Sequence, residues 1–144
     1  GQKIGLAQQV AQRHHIHNVE FVTALAQDTE YPACDWISLV DVLYLVPYET
    51  QEALLRRAVA RLRPGGRLMI KEMAERPRWK VAWGQAQEIL AVRVLHLSHG
   101  HSFYFRSEAD WLALLTSLGL RTSVLPLDAG YLHPHVLFIG ENAS

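Results

Sequence analysis

The segment Ile37-Ser-Leu-Val-Asp41-Val-Leu-Tyr44-Leu-Val-Pro47 is followed by an amphipathic run and then by Leu62-Arg-Pro-Gly-Gly66-Arg-Leu-Met-Ile-Lys-Glu72. This succession constrains the fold more than anything else in the chain. It reads as strand, helix, tight turn, strand. Two apolar strands separated by a helix-length segment cannot form a hairpin; the connection is a crossover, which makes the strands parallel and the unit right-handed. In open α/β sheets, ligands settle at the carboxyl ends of such strands. Asp41 and Glu72, the acids where the two apolar runs end, therefore mark the edge where chemistry is expected.

The chain has 144 residues, 49% of them hydrophobic, enough to bury one core, so a single domain over 1–144 is expected. Its 14 basic and 14 acidic residues cancel. Without a basic field to hold a polyanion, nucleic acid is not the expected partner, and a small molecule is. The single cysteine, Cys34, cannot form an internal disulfide and suits a reducing cytoplasm. No apolar run approaches the roughly 20 residues that span a bilayer.

Gln2–Arg13 carries Ile4, Ala7, Val10 and Ala11 at helical spacing, and His14 to Asn18 closes that helix. Val19–Val22 reads as a short strand, Leu25–Asp35 as a loop, and Trp36–Leu45 as a long strand apolar on both faces. Thr50 is the expected cap of a helix with Leu54, Leu55, Ala58, Val59 and Leu62 as its buried stripe. Pro64, Gly65 and Gly66 are expected to end that helix and turn the chain into a strand at Leu68–Lys71. Val81–Leu97 reads as a helix apolar around most of its circumference, preceded by the basic residues Arg76, Arg78 and Lys80. Ser107 with Asp110 three residues on is a capping signature. It opens a helix with Trp111, Leu112, Leu115 and Leu118 as its stripe and Gly119 as its stop. Leu120–Leu127 and His135–Gly140 then form an antiparallel hairpin.

The order of these elements, with Asp41-Val-Leu-Tyr-Leu-Val-Pro47, Leu62-Arg-Pro-Gly-Gly-Arg-Leu-Met-Ile70 and Tyr104-Phe-Arg-Ser-Glu-Ala-Asp-Trp-Leu-Ala-Leu-Leu115 followed by Gly119-Leu, resembles the later two-thirds of a class I S-adenosylmethionine-dependent methyltransferase. The resemblance implies an α/β, Rossmann-like mixed sheet with parallel core strands and a C-terminal antiparallel hairpin. That family opens with a strand, a glycine-rich loop and a second strand ending in an acid that holds the ribose, none of which is present in residues 1–144. The expectation is therefore a fold truncated at its N-terminus and inactive by itself. The family's sheet order is 3-2-1-4-5-7-6. Losing the first two strands would leave Val19–Val22 and Trp36–Leu45 apart, so that they pair directly or the bared edge is covered in a homodimer.

By the same resemblance, S-adenosylmethionine is the cofactor. Asp41, Val42 and Leu43 would line its methionine and sulfonium end, and Leu25 and Ala26 would touch adenine. Leu25 stands where the family commonly has an acid for the adenine amino group, and Asp28 is the substitute acceptor. Tyr44, Glu72, His99, His101 and Tyr104 are the candidate catalytic groups on the substrate side. Methyl transfer from a sulfonium needs mainly alignment, desolvation and a base, so few such groups are required. The apolar Val81–Leu97 segment, with the basic residues before it, reads either as a lid over a hydrophobic, anionic or lipid-like acceptor or as a core or dimer-interface helix. Two readings from other classes stand beside this one. The chain could be a non-catalytic dimerisation or binding module. The His-x-His pairs His15/His17, His99/His101 and His133/His135 could instead make it a metal-binding protein.

Overall fold

A computed structural model describes residues 2–73, 103–127 and 135–143. The chain forms two compact units, Gly1–Glu30 and Tyr31–Ser144.

The first unit holds helix α1, Gln2–Arg13, with the bounds that its apolar spacing predicts. His15, at φ +54°, turns the chain out of it. Val19–Val22 is not a strand. A strand exists by its ladder, and no described strand pairs with this apolar segment, so neither it nor its direct pairing with the central strand is present. Leu25 leads instead into a short 3₁₀ turn, Ala26–Asp28, closed by the Asp28 N–H donating to the Leu25 carbonyl at 3.0 Å.

The second unit contains β1 (Cys34–Val40), a 3₁₀ turn (Leu43–Leu45), helix α2 (Tyr48–Val59), β2 (Leu62–Met73), helix α3 (Glu108–Ser117), β3 (Leu120–Pro126) and β4 (His135–Asn142). These strands form a sheet in the order β1-β2-β4-β3. β1 and β2 are parallel, β4 is antiparallel to both β2 and β3, and the βαβ unit and terminal hairpin are as the sequence implies.

Three local expectations are corrected. The first strand stops at Val40, not Leu45, because Asp41 takes φ +52° and breaks the extended path. Helix α2 is capped by Pro47 rather than Thr50, which lies within its first turn; the fixed φ of proline presets the entry into the helix. Pro64, Gly65 and Gly66 do not end the helix. They lie inside β2 as an extra loop of backbone, since Cys34 pairs with Leu62 and Trp36 already with Arg67. Gly65 supplies φ +74° there, and a Cβ on Gly66 would stand 2.8 Å from the Arg63 carbonyl oxygen.

The register sorts the sheet into two faces. Ile37, Leu39, Leu68, Ile70, Val136 and Phe138 are buried on one. Trp111 of α3 packs on Phe138, with ring centroids 6.1 Å apart, and Leu54, Leu55 and Ala58 of α2 are buried as well. α3 starts as its sequence dictates, the Ser107 Oγ accepting from the Asp110 N–H at 3.1 Å, and ends before Gly119 at φ +82°. The other face carries Trp36 and Val40, 54% and 50% exposed. β1 is therefore not covered on both sides as its continuous apolar run suggested. Arg67 lies over the Trp36 ring at 5.5 Å, a common use of an exposed indole.

Candidate functional site

The chain leaves the extended path abruptly where β1 ends. The Asp41 N–H still donates to the Lys71 carbonyl at 3.1 Å, extending the parallel ladder by one residue. The left-handed conformation of Asp41, which short polar side chains tolerate best, then diverts the chain across the ends of the strands. Its carboxylate meets the Lys71 ammonium at 2.7 and 2.9 Å. Half-exposed Asp41 and exposed Val42 thus form the rim of this sheet end, while Leu43 is wholly buried.

Glu72, next to Lys71 on β2, points to the covered face and is only 3% exposed. Burial pushes its carboxyl up to about 7, an effect the Asp41 charge adds to; hydrogen bonds from the Leu43 and Tyr44 backbone N–H groups and the Lys71 charge oppose it. Its Oε1 has no hydrogen-bond partner. Glu72 thus anchors the turn after β1 from below, and near neutral pH it exchanges its proton.

A second buried polar group holds the same turn from the other side. Gln51, on the first turns of α2, is 0% exposed, and its Nε2 donates to the carbonyls of Leu43 (3.0 Å), Val46 (3.1 Å) and Tyr104 (2.9 Å). Its Oε1 accepts from Arg106 Nε at 2.8 Å, which fixes the orientation of the amide. Arg106 also donates to Glu52 Oε1 at 3.0 Å and to the Tyr48 carbonyl at 3.2 Å, with its guanidinium 4.8 Å from the Tyr48 ring centroid. The stretch 103–106 is thereby strapped across the end of β1, with the Tyr104 N–H donating to the Tyr44 carbonyl at 2.8 Å.

Of the residues expected at a site, Asp41, Val42, Leu43, Tyr44, Glu72 and Tyr104 come together at this sheet end. Leu25, Ala26 and Asp28 belong to the first unit, where Leu25 and Asp28 are exposed and Ala26 is half-buried. His99 and His101 lie outside the described residues, as do the Val81–Leu97 segment and His133. His15 and His17 sit in the turn after α1, not on a strand, with rings 6.3 Å apart. Among the described residues no three His, Cys, Asp or Glu side chains are grouped to hold a metal ion. Gln51, Tyr48, Lys71 and Arg106 went unrecognised from sequence. Only the alternation Phe-Tyr-Phe-Arg at 103–106, which sends rings one way and Tyr104 and Arg106 the other, hinted at such a strap.

A parallel pair joined by a helix, an acid diverting the chain at the first strand's end and an antiparallel terminal pair define a mixed α/β sheet of the Rossmann-like type. The profile of the family described as methyltransferase domain matches residues 2–123, and the chain belongs to that family. Among solved structures it is similar to the apo form of the S-adenosylmethionine-dependent methyltransferase SibL, at 18% identity and TM-score 0.77, covering 98% of this chain and 41% of that one. It is also similar to an O-methyltransferase family protein from Burkholderia thailandensis, at 18% identity and TM-score 0.70, covering 96% of this chain and 40% of that one. A third is the magnesium protoporphyrin IX methyltransferase from Synechocystis PCC 6803 with bound SAH, at 18% identity and TM-score 0.66, covering 96% of this chain and 58% of that one. At such identities the likeness is one of fold, and the chain spans about two-fifths of the length of the first two (41% and 40%). No curated protein matches. The order β1-β2-β4-β3 corresponds to the 4-5-7-6 portion of the sheet that the sequence resemblance implies.

Proposed function

We propose that this chain forms the acceptor side and one wall of the cofactor site of an S-adenosylmethionine-dependent methyltransferase acting on a small molecule. The observation that carries the reading is the left-handed turn at Asp41, standing at the carboxyl end of β1 in a chain whose family match runs over residues 2–123. The groups present suit the cofactor in part: the half-exposed Asp41 carboxylate, which a cationic amine or sulfonium would share with Lys71, and exposed Val42 as an apolar edge for the rest. Bound there, S-adenosylmethionine supplies a methyl group already activated on sulfur.

On this reading Asp41 and Val42 line the methionine and sulfonium end, with buried Leu43 as the apolar support behind them. In the first unit, Leu25 and Ala26 remain the proposed adenine contacts and Asp28 the proposed acceptor for its amino group, by family resemblance alone. Tyr44, His99 and His101 orient the acceptor and exclude water, with a histidine as the base that takes the acceptor's proton; Tyr104, turned inward against Tyr48, acts only by holding the strap. Glu72, buried under the turn, acts on the acceptor only through the Leu43 and Tyr44 backbone it holds. The chain alone is expected to bind cofactor weakly and not to turn over. Calorimetry with S-adenosylhomocysteine should give a millimolar-range dissociation constant, raised by Asp41→Ala. Binding that ignores Asp41→Ala would refute the assignment.

No described helix is long and apolar enough to cross a membrane. The unpaired thiol of Cys34 supports a setting in the reducing cytoplasm. Among the described residues β1 pairs only with β2, so its outer edge offers unpaired backbone groups beside exposed Trp36 and Val40, which supports a homodimer through this edge. Sedimentation velocity should show a concentration-dependent dimer that Val40→Lys returns to monomer; an association unchanged by that substitution would place the contact elsewhere.

A further inference from the structure

The segment 103–106 is held so firmly that it must present something. Extended backbone sends alternate side chains to opposite sides. Tyr104 and Arg106 go inward, Tyr104 meeting the Tyr48 ring edge-on at 5.6 Å and Arg106 closing on Gln51 and Glu52. Phe103 and Phe105 go to the other side, where they join Tyr44. The Phe105 and Tyr44 rings stack at 5.3 Å with an interplanar angle of 17°. Phe103 lies 5.8 Å from Tyr44 and 6.0 Å from Phe105.

Phe103 and Phe105 remain 36% and 43% exposed. Two phenylalanines left wet side by side, on a segment fixed by part-buried hydrogen bonds, form an apolar surface that is built in place, unlike scattered exposed side chains. Its position is specific: Tyr44 belongs to the turn that follows Asp41, and its backbone N–H holds Glu72. A surface made of rings at offset-stacking distances favours a flat π-system over a flexible chain. The ring quadrupoles reward stacking, and a rigid ligand loses little conformational entropy.

We infer that Tyr44, Phe103 and Phe105 form a stacking platform for a planar aromatic methyl acceptor. The word acceptor rests on the methyltransferase reading above; the platform itself rests only on the rings and the strap that fixes them. This commits the substrate class to aromatic compounds of one or two fused rings rather than to acyl chains. Phe103 and Phe105 supply the stacking face, and Gln51 and Arg106 act as positioning residues behind it.

The test uses 2-naphthol as the flat probe and 1-decanol as the aliphatic one, with binding followed by NMR. 2-Naphthol should bind more tightly than 1-decanol and show intermolecular NOEs to the Phe103 and Phe105 ring protons in the unsubstituted protein. In a Phe103→Leu/Phe105→Leu double variant, which stays apolar but loses both rings, 2-naphthol should weaken about tenfold, the equivalent of two lost ring contacts, while 1-decanol should not change. Preference for 1-decanol, NOEs to other residues, or unaltered 2-naphthol binding in the double variant would overturn the platform. Calorimetry with S-adenosylhomocysteine on the same samples separates the two ideas. Cofactor binding without 2-naphthol binding sinks the platform alone, and 2-naphthol binding with no S-adenosylhomocysteine binding upholds the platform while removing the proposed cofactor wall at Asp41.

Discussion

Gln51→Leu is expected to lower the unfolding free energy by about 3–4 kcal/mol, one of the largest losses available to a single side chain outside the apolar core. Leucine fills nearly the same volume but leaves the Leu43, Val46 and Tyr104 carbonyls and the Arg106 guanidinium without the partner they have now. Each buried group so abandoned costs about 1–3 kcal/mol, reduced where water or rearrangement reaches it. Gln51→Glu sharpens the test. Glutamate could still accept from Arg106, but it would aim a carboxylate at three carbonyls, so it should fail to restore stability at pH 8. Urea unfolding followed by far-UV circular dichroism measures both. A Gln51→Glu protein as stable as the original would mean that the three donated hydrogen bonds contribute little and that the strap is held by other contacts. Near-UV dichroism of Gln51→Leu should also diminish, because the loosened strap carries Tyr104, Phe103 and Phe105.

Glu72→Gln is expected to act in the opposite direction. The folded protein holds the Glu72 proton with a pKa of about 7, against 4.5 for the ordinary group. The folded state therefore binds this proton more tightly than the unfolded state does. Below about pH 4.5 both states carry it and the group costs nothing. As the pH rises towards 7 the unfolded chain releases the proton first, and stability falls until both states are ionised. Above pH 7 the full penalty is present, of order 3 kcal/mol. Glutamine keeps an oxygen for the Leu43 and Tyr44 N–H groups and carries no charge, so at pH 8 the variant should be more stable by about 2–3 kcal/mol. The difference between the two proteins should shrink steadily as the pH is lowered from 7 to 4.5. A stability difference independent of pH over that window would show that Glu72 ionises normally in the folded state. The hydrogen bonds that Glu72 accepts from the Leu43 and Tyr44 backbone fit a role in fixing the turn that presents Tyr44.

These two residues also show what was legible in the sequence and what was not. Features set by neighbours along the chain were plain. The α1 helix follows from the spacing of Ile4, Ala7, Val10 and Ala11. The start of α3 follows from Ser107 and Asp110, and its stop from Gly119. The parallel pairing of β1 with β2 followed from two apolar runs that need a crossover. Features that depend on a partner far away were not plain. Val19–Val22 has strand composition, but composition cannot supply a ladder. The end of β1 was misjudged because Val42, Leu43 and Leu45 continue the apolar run while Asp41 redirects the backbone, and hydrophobicity carries no record of φ. Asp41 and Glu72 were recognised as strand-end acids, yet the sequence could not distinguish the rim carboxylate paired to Lys71 from the buried one under the turn. Gln51 and Arg106, 55 residues apart, meet only because α2 and the strap converge on one sheet end. Arg106 sits just ahead of a helix in a polar setting, which by local rules is an ordinary solvated position.

The proposed cofactor wall at Asp41 is tested most directly by locating S-adenosylhomocysteine, the thioether that methyl transfer leaves behind, on the chain. In a ¹⁵N-labelled sample titrated with S-adenosylhomocysteine into the millimolar range, the amides of Asp41, Val42, Leu43 and Tyr44 should move together along one saturable curve. Saturable shifts confined to other residues, or amides at Asp41–Tyr44 that stay fixed throughout the titration, would contradict the account.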